Sequence, residues 1–154
     1  MPGAGFYSIH TSKISFRSDG CWYADDEPIV HERLALLFSR HLRRKADGGY
    51  EIWIDERYHA DVEVEDTPYV TIGLSSDAQG QLLLHLNDGT TEPLHPETLE
   101  VGPGHVLYCC VKNGTARARF LRPAYYQLSN FVEEAAPGRF QIRCGGITYP
   151  IGRL

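Results

Sequence analysis

A turn, a short strand, a proline and an apolar-periodic helix follow one another twice in this chain. No other feature limits its possible folds as strongly. The first copy runs from Ser18 to Arg44. It comprises Ser18-Asp19-Gly20, a Trp22/Tyr23 segment, the acids Asp25-Asp26-Glu27, Pro28, and a stripe of Val30, Leu34, Leu37, Phe38 and His41 at helical spacing. The second begins at Lys112-Asn113-Gly114, passes through Arg117 and Arg119 to Pro123, and continues through Tyr125, Leu128 and Phe131. The two stripes are offset by one residue, so the spacing leaves both duplication and chance recurrence of a common unit open.

Each copy carries signals for its boundaries. Pro28 is expected at the first helical position, where no N–H is lost, with Asp26 or Glu27 accepting from the orphan N–H groups. Arg40, Arg43, Arg44 and Lys45 are expected in the last turn of that helix, with Asp47-Gly48-Gly49 stopping it. The second helix is expected to open at Pro123 and reach about Ala135, ending at Pro137-Gly138.

Between and after the helices the apolar period changes to two. Lys13–Arg17, Cys21–Ala24, Tyr50–Ile54, His59–Glu65, Tyr69–Leu74, Gln81–Leu86, Val106–Val111, Thr115–Leu121, Phe140–Arg143 and Ile147–Ile151 all read as strands. Asn87-Asp88-Gly89, Asn113-Gly114 and Gly145-Gly146 are hairpin turns. Two helices among many antiparallel strands define an α+β fold made of two hairpin-plus-helix units. The Pro93–Gly104 stretch is the expected boundary, giving an N-terminal unit of residues 1–94 and a C-terminal unit of residues 95–154. Met1–Gly5, rich in glycine and proline, is expected to be loose.

At 154 residues the chain can bury enough surface to fold without metal or disulfide. The longest apolar runs, Leu34–Phe38 and Val106–Val111, fall far short of a membrane span. The four cysteines form no Cys-x-x-Cys pair, and no apolar signal segment follows Met1, which is the pattern expected of the reducing cytoplasm. The net charge of −5 conceals three blocks: residues 1–45 carry +2, residues 46–111 carry −12, and residues 112–154 carry +5. The acidic middle argues against nucleic acid as a partner.

Chemistry-bearing patterns are few. His59, Asp61, Glu63 and Glu65 share one face of a strand, but same-face neighbours lie roughly 6.5–7 Å apart, too far for one ion to take all four. The seven histidines show no His-x-x-x-His spacing. Cys109 and Cys110 sit in an apolar strand and read as inert thiols. Gly102-Pro103-Gly104 reads only as a turn. No phosphate-binding glycine loop or nucleophile elbow is present. The positive set stands out. Arg117, Arg119 and Arg122 approach Pro123, with Tyr125-Tyr126 immediately after, and guanidiniums with aromatic faces near a helix start suit an anionic, base-bearing ligand.

Four short stretches carry a family resemblance: Asp19-Gly20-Cys21-Trp22, Glu27-Pro28-Ile29, Val64-Glu65-Asp66-Thr67-Pro68-Tyr69-Val70 and Arg122-Pro123-Ala124-Tyr125-Tyr126. Together they resemble the bacterial family known as domain of unknown function 1285 (DUF1285), from about Ile14 to Ile151. Leu94-His95-Pro96-Glu97-Thr98-Leu99 is also similar to a second family with a mitochondrial branch. The DUF1285 resemblance implies a duplicated α+β architecture whose second unit is loosely like a pleckstrin-homology fold. It also implies a nucleotide-like ligand between the units and a signalling role. As family-pattern positions, Trp22, Glu65, Asp66, Pro68, Arg122 and Tyr125 carry over, while Cys21 and Thr67 depart from the pattern.

The resulting expectation is a cytoplasmic, non-enzymatic binding module without cofactor or metal. Trp22, Arg57, Asp66, Arg117, Arg119, Arg122 and Tyr125 would hold a small anionic, nucleotide-like molecule in a cleft between the two units. A metal-assisted hydrolase using Asp66 or the acidic strand is the first alternative. A protein-interaction domain using Tyr125 and Tyr126 is the second.

Overall fold

The computed structural model describes residues 12–154, so Met1–Gly5 and His10 lie outside the described residues. The chain divides into two compact units, Met1–Pro68 and Tyr69–Leu154. The division falls well before the expected boundary, because the proline-rich stretch is not a linker. Leu94 and Leu99 within it are 7% and 1% exposed and belong to the core of the C-terminal unit.

The N-terminal unit contains β1 (Ile14–Phe16), β2 (Trp22–Ala24), β3 (Glu27–Pro28), α1 (Glu32–His41), β4 (Leu42–Arg44), β5 (Tyr50–Trp53) and β6 (His59–Val64). Its six strands form one sheet in the order β3-β2-β1-β6-β5-β4. Neighbours are antiparallel except β1 and β6, which run parallel with Ile14 opposite Val62 and Phe16 opposite Val64. Phe16, Trp22 and Phe38 pack together in the core, Phe16 tilted against Trp22 and Trp22 edge to face with Phe38, with ring centroids 4.9 and 5.5 Å apart. Such aromatic contacts add about 0.5–1.5 kcal/mol each beyond their burial.

Two helix boundaries here differ from expectation, each for a local reason. Asp25 and Asp26 both take positive φ, 49° and 68°, and make the two-residue turn of the β2–β3 hairpin. Aspartate tolerates this left-handed geometry, which matches the twist of paired strands, so the acids turn the chain instead of capping a helix. Pro28 therefore lies in β3, Val30 is 83% exposed, and α1 starts at Glu32 with His31 Nδ1 accepting from the Leu34 N–H at 3.3 Å. At its other end α1 passes directly into β4, which places Arg43 and Arg44 on a strand. Asp47-Gly48-Gly49 turns β4 into β5, with Gly48 at φ 90°.

The C-terminal unit begins with β7 (Tyr69–Ser76), β8 (Leu82–Leu86) and β9 (Thr91–Pro93). After a 3-10 turn at Pro96–Thr98 come β10 (Glu100–Val101), a second turn at Pro103–His105, β11 (Leu107–Val111) and β12 (Ala116–Phe120). It closes with α2 (Arg122–Ser129), β13 (Val132–Ala136), β14 (Arg139–Cys144), β15 (Ile147–Pro150) and β16 (Gly152–Arg153). Seven strands form a sheet in the order β16-β10-β11-β12-β7-β8-β9, and β13-β14-β15 form a second, antiparallel sheet. The second helix thus ends at Ser129, short of Ala135. Phe131 N–H closes the last turn onto Leu128 O at 2.9 Å, and Pro137-Gly138 turns β13 into β14. Leu74, Leu84, Leu107, Cys109, Phe120, Leu128 and Ile142 contribute to one core. Burial pushes the Cys109 thiol up to about 12, in keeping with an inert side chain.

The molecule is α+β. In each unit a hairpin leads to a helix and then to a three-stranded meander: β1-β2, α1, β4-β5-β6 in one and β11-β12, α2, β13-β14-β15 in the other. The first meander joins the sheet of its hairpin, whereas the second forms a sheet of its own.

Two turns of the C-terminal unit are tied by charge. Lys112 Nζ donates to Asp88 Oδ2 at 2.6 Å and to Thr90 Oγ1 at 3.0 Å, joining the β11–β12 turn to the β8–β9 turn. Burial alone would raise the Asp88 carboxyl, but hydrogen bonds from Lys112 and Thr90 outweigh it and hold the group below its ordinary value. With a depressed folded pKa, the contribution to stability is complete above the unfolded value of about 3.9 and is lost as pH falls through the folded value. Asp88→Asn is expected to cost about 1.5–3 kcal/mol at neutral pH. Urea titrations across the acid range should show the gap between wild type and variant closing below about pH 4.

Candidate functional site

The residues that could hold a ligand are gathered by the start of α2. Leu121 N–H donates to Thr71 O at 3.0 Å, which fixes where the chain leaves β12 and enters the helix. Pro123 follows Arg122 in the first turn, and that turn carries neither a capping side chain nor an acid. Its orphan N–H groups and positive dipole end favour negative charge nearby.

An open groove of about 330 Å³ lies at this point, within the C-terminal unit. Arg119 and Phe120 from β12 and Arg122, Tyr125 and Tyr126 from α2 line it together with Gly104, His105, Val106 and Leu107, and none of these residues is acidic. Arg122 is exposed and makes no ion pair among the described residues. The rings of Tyr125 and Tyr126 meet edge to face, with centroids 6.0 Å apart. Two guanidinium forks with aromatic faces beside them can bind an anion and cover a flat or apolar body attached to it.

Of the seven expected site residues, Arg119, Arg122 and Tyr125 come together here. Arg117 lies on the same strand face as Arg119 but over the Tyr108 ring, with Cζ 4.6 Å from the centroid. Its Nη2 is buried without a hydrogen-bond partner. Trp22, Arg57 and Asp66 belong to the N-terminal unit. Trp22 is a core residue, 2% exposed, whose Nε1 donates to Ser39 Oγ at 2.9 Å, so its ring has no face left for a ligand. Arg57 is exposed in the turn after β5, where its N–H donates to Asp55 Oδ1 at 2.7 Å. Asp66 is exposed between β6 and β7.

Gly104 and His105 were not expected in the site. Both take positive φ, 71° and 61°, and this brings the Pro103–His105 turn to the edge of the groove. Gly-Pro-Gly marks a turn in the sequence, but the left-handed histidine after it has no sequence signature. A Ser75–His85–Thr91 relay was also unforeseen. His85 Nε2 is 2.9 Å from Ser75 Oγ, and Nδ1 is 3.2 Å from Thr91 Oγ1. Its members do not line this groove, and a neutral threonine cannot stabilise an imidazolium as a carboxylate would.

The acidic strand β6 is occupied by ion pairs. Lys45 Nζ lies 2.9 Å from Asp61 Oδ1, and Lys13 Nζ lies 3.2 Å from Glu63 Oε2. Hydrogen bonds from the side chain and backbone of Ser18 hold the Glu65 carboxyl below its usual range. His59 stacks on Trp53 at 4.8 Å. Among the described residues, no group of three or more His, Cys, Asp and Glu side chains is placed to hold a metal ion. No described helix is long and apolar enough to cross a membrane.

No family model matches the sequence, and no curated protein matches it. Solved structures do. The chain is similar to a DUF1285 family protein from Silicibacter pomeroyi DSS-3 with a TM-score of 0.68 at 18% identity, covering 99% of this chain and 90% of that one. It is also similar to a DUF1285 family protein from Shewanella baltica OS155, with a TM-score of 0.60 at 19% identity, covering 78% of this chain and 92% of the other. At these identities the likeness is one of fold, and it agrees with the resemblance carried by Glu65–Val70 and Arg122–Tyr126.

The burial of Trp22 generates a direct test. Trp22→Ala is expected to cost about 3–5 kcal/mol in urea unfolding, the usual range for removing a buried tryptophan. A cost below about 1 kcal/mol would place the ring at a site instead of in the core.

Proposed function

We propose that this protein is a non-enzymatic binding module that holds a small anionic molecule in the groove at the start of α2. The observation that carries this reading is the convergence of Arg119, Arg122, Tyr125 and Tyr126 on one concave surface without an acidic residue. Arginine forks recognise carboxylate and phosphate oxygens bidentately, and each hydrogen bond to a charged group contributes about 1.5–3 kcal/mol. Nucleotide-like anions belong to this class, since their bases can lie against tyrosine faces. The reading rests on the C-terminal unit alone. A regulatory role follows if occupation of the groove reports the level of that molecule.

A second reading, protein interaction, is favoured by one observation: Tyr125 and Tyr126 are 40% and 63% exposed. The adjoining Arg122 makes anion binding the better assignment, because an exposed tyrosine pair alone does not call for an exposed guanidinium beside it. The hydrolase alternative has less support. The acids of β6 face lysines, and the groove offers neither carboxylate nor thiol.

Thermal-shift measurements on the full chain with pyrophosphate, ADP and GDP test the proposal. A ligand at a hundred times its Kd should stabilise the protein by about 2.7 kcal/mol. Arg122→Glu, at an exposed position, should leave the unliganded transition unchanged and weaken binding at least tenfold, the loss of about 1.4 kcal/mol or more. Absence of stabilisation at millimolar ligand, or full binding by Arg122→Glu, would refute the assignment.

A further inference from the structure

A second cavity adjoins the groove, and its chemistry narrows the class of ligand. Resting on the anion-binding reading above, we infer that the bound molecule is an amphipathic anion, a carboxylate or phosphate carrying an apolar chain. Its head lies against Arg119 and Arg122, and its chain enters the cavity beyond Tyr125.

This cavity, of about 280 Å³, lies within the C-terminal unit. Val101, Leu107, Leu128, Val132, Phe140 and Ile151 supply its apolar lining. They come from the large sheet, from the buried side of α2, and from the small sheet with the segment that leaves it. His105, Leu107 and Tyr125 line both spaces, so one molecule can pass over Tyr125 from the arginines into the apolar lining.

A nucleobase is a poor occupant. Its edge carries donors and acceptors that need partners once water is excluded. Two of the polar groups on this wall are already engaged: Ser129 Oγ donates to Tyr126 O at 2.6 Å, and Arg153 Nη2 donates to Gly138 O at 2.8 Å. An aliphatic chain needs no partners and gains from every methylene withdrawn from water. At roughly 30 Å³ per water-sized group, the cavity holds about nine such groups, the size of a medium-length chain. Two guanidiniums, Arg119 and Arg122, thus line the more open space, while the adjoining cavity is lined mainly by apolar side chains, with the Arg153 guanidinium on its wall tied to Gly138 O. That order matches a polar head and an apolar tail.

Isothermal titration of the full chain with sodium acetate, butyrate, hexanoate and octanoate, with inorganic phosphate and octanol as controls, tests the inference. Affinity is expected to rise roughly fourfold per methylene, the equivalent of ~0.8 kcal/mol, until the cavity is full. Octanol is expected to bind more weakly than octanoate, and Arg122→Glu to remove that difference. Ser129→Phe, which fills the cavity from its rim at an exposed position, is expected to abolish the chain-length dependence and leave phosphate affinity unchanged. Ile151→Trp serves as a second filling variant if Ser129→Phe does not fold. An affinity independent of chain length, with phosphate still bound, would overturn the amphipathic ligand and leave the anion site standing. Octanol binding as tightly as octanoate would also overturn it. Failure of phosphate and every carboxylate to bind would remove the anion site and this inference with it.

Discussion

The parallel pairing of β7 with β12 is the constraint on which the candidate site depends. It sets Ala118 opposite Tyr69, Arg119 opposite Val70 and Phe120 opposite Thr71. It continues through the bond from Leu121 N–H to Thr71 O, which delivers the chain into α2. α2 then packs along β7, where Gln127 Oε1 accepts from the Leu74 N–H at 2.7 Å. A slip of one residue would exchange the faces of Ala118 and Arg119, burying a guanidinium in the core that Ala118 and Phe120 now occupy. Register and charge placement are therefore one decision. A parallel pair also needs a long crossover, here supplied by everything from β8 to β11. That crossover carries Gly104 and His105, which line the groove.

The charge blocks of the chain resolve into separate tasks. Four acids of the middle block are met by cations of the first: Glu63 by Lys13, Glu51 by Arg43, and Asp47 and Asp61 by Lys45. Exposed pairs of this kind contribute little to stability, about 0–1 kcal/mol each. The basic third block behaves differently. Lys112 is committed to Asp88 inside the C-terminal unit, Arg117 lies over Tyr108 and Arg143 faces Glu133. Arg119 and Arg122 line the groove together. Arg122, exposed and without an ion pair among the described residues, thus puts positive charge on a surface that also carries two exposed tyrosines.

Much of the fold was legible in the sequence, because period-two strands and glycine turns are local signals. Asn87-Asp88-Gly89, Asn113-Gly114 and Gly145-Gly146 all turn hairpins, β6 carries the alternation expected of it, and the apolar run of β11 is buried along most of its length. The helix ends were not legible, because the same residues serve two structures. Asp25-Asp26-Glu27-Pro28 has the chemistry of a helix start, yet two aspartates at positive φ make an equally good hairpin turn. The Val132–Ala136 segment could extend α2 by composition, and only its pairing with β14, absent from any local window, makes it a strand. Within the site, Arg119, Arg122 and Tyr125 could be read from a basic-aromatic cluster at a proline. His105 could not, since its place depends on backbone geometry and on a sheet assembled from distant segments. Trp22 illustrates the opposite case. A family-pattern position need not be a functional one, and this ring fills the core.

The central claim is that the groove between the Pro103–His105 turn and the start of α2 is where this protein meets its ligand. Amide chemical-shift mapping of the full chain during a pyrophosphate titration tests it most directly. The account predicts saturable shifts confined to Gly104–Leu107 and Arg119–Tyr126, with the N-terminal unit silent. Shifts centred on Asp55–Tyr58 or Glu65–Thr67, or no saturable shifts anywhere, would contradict it.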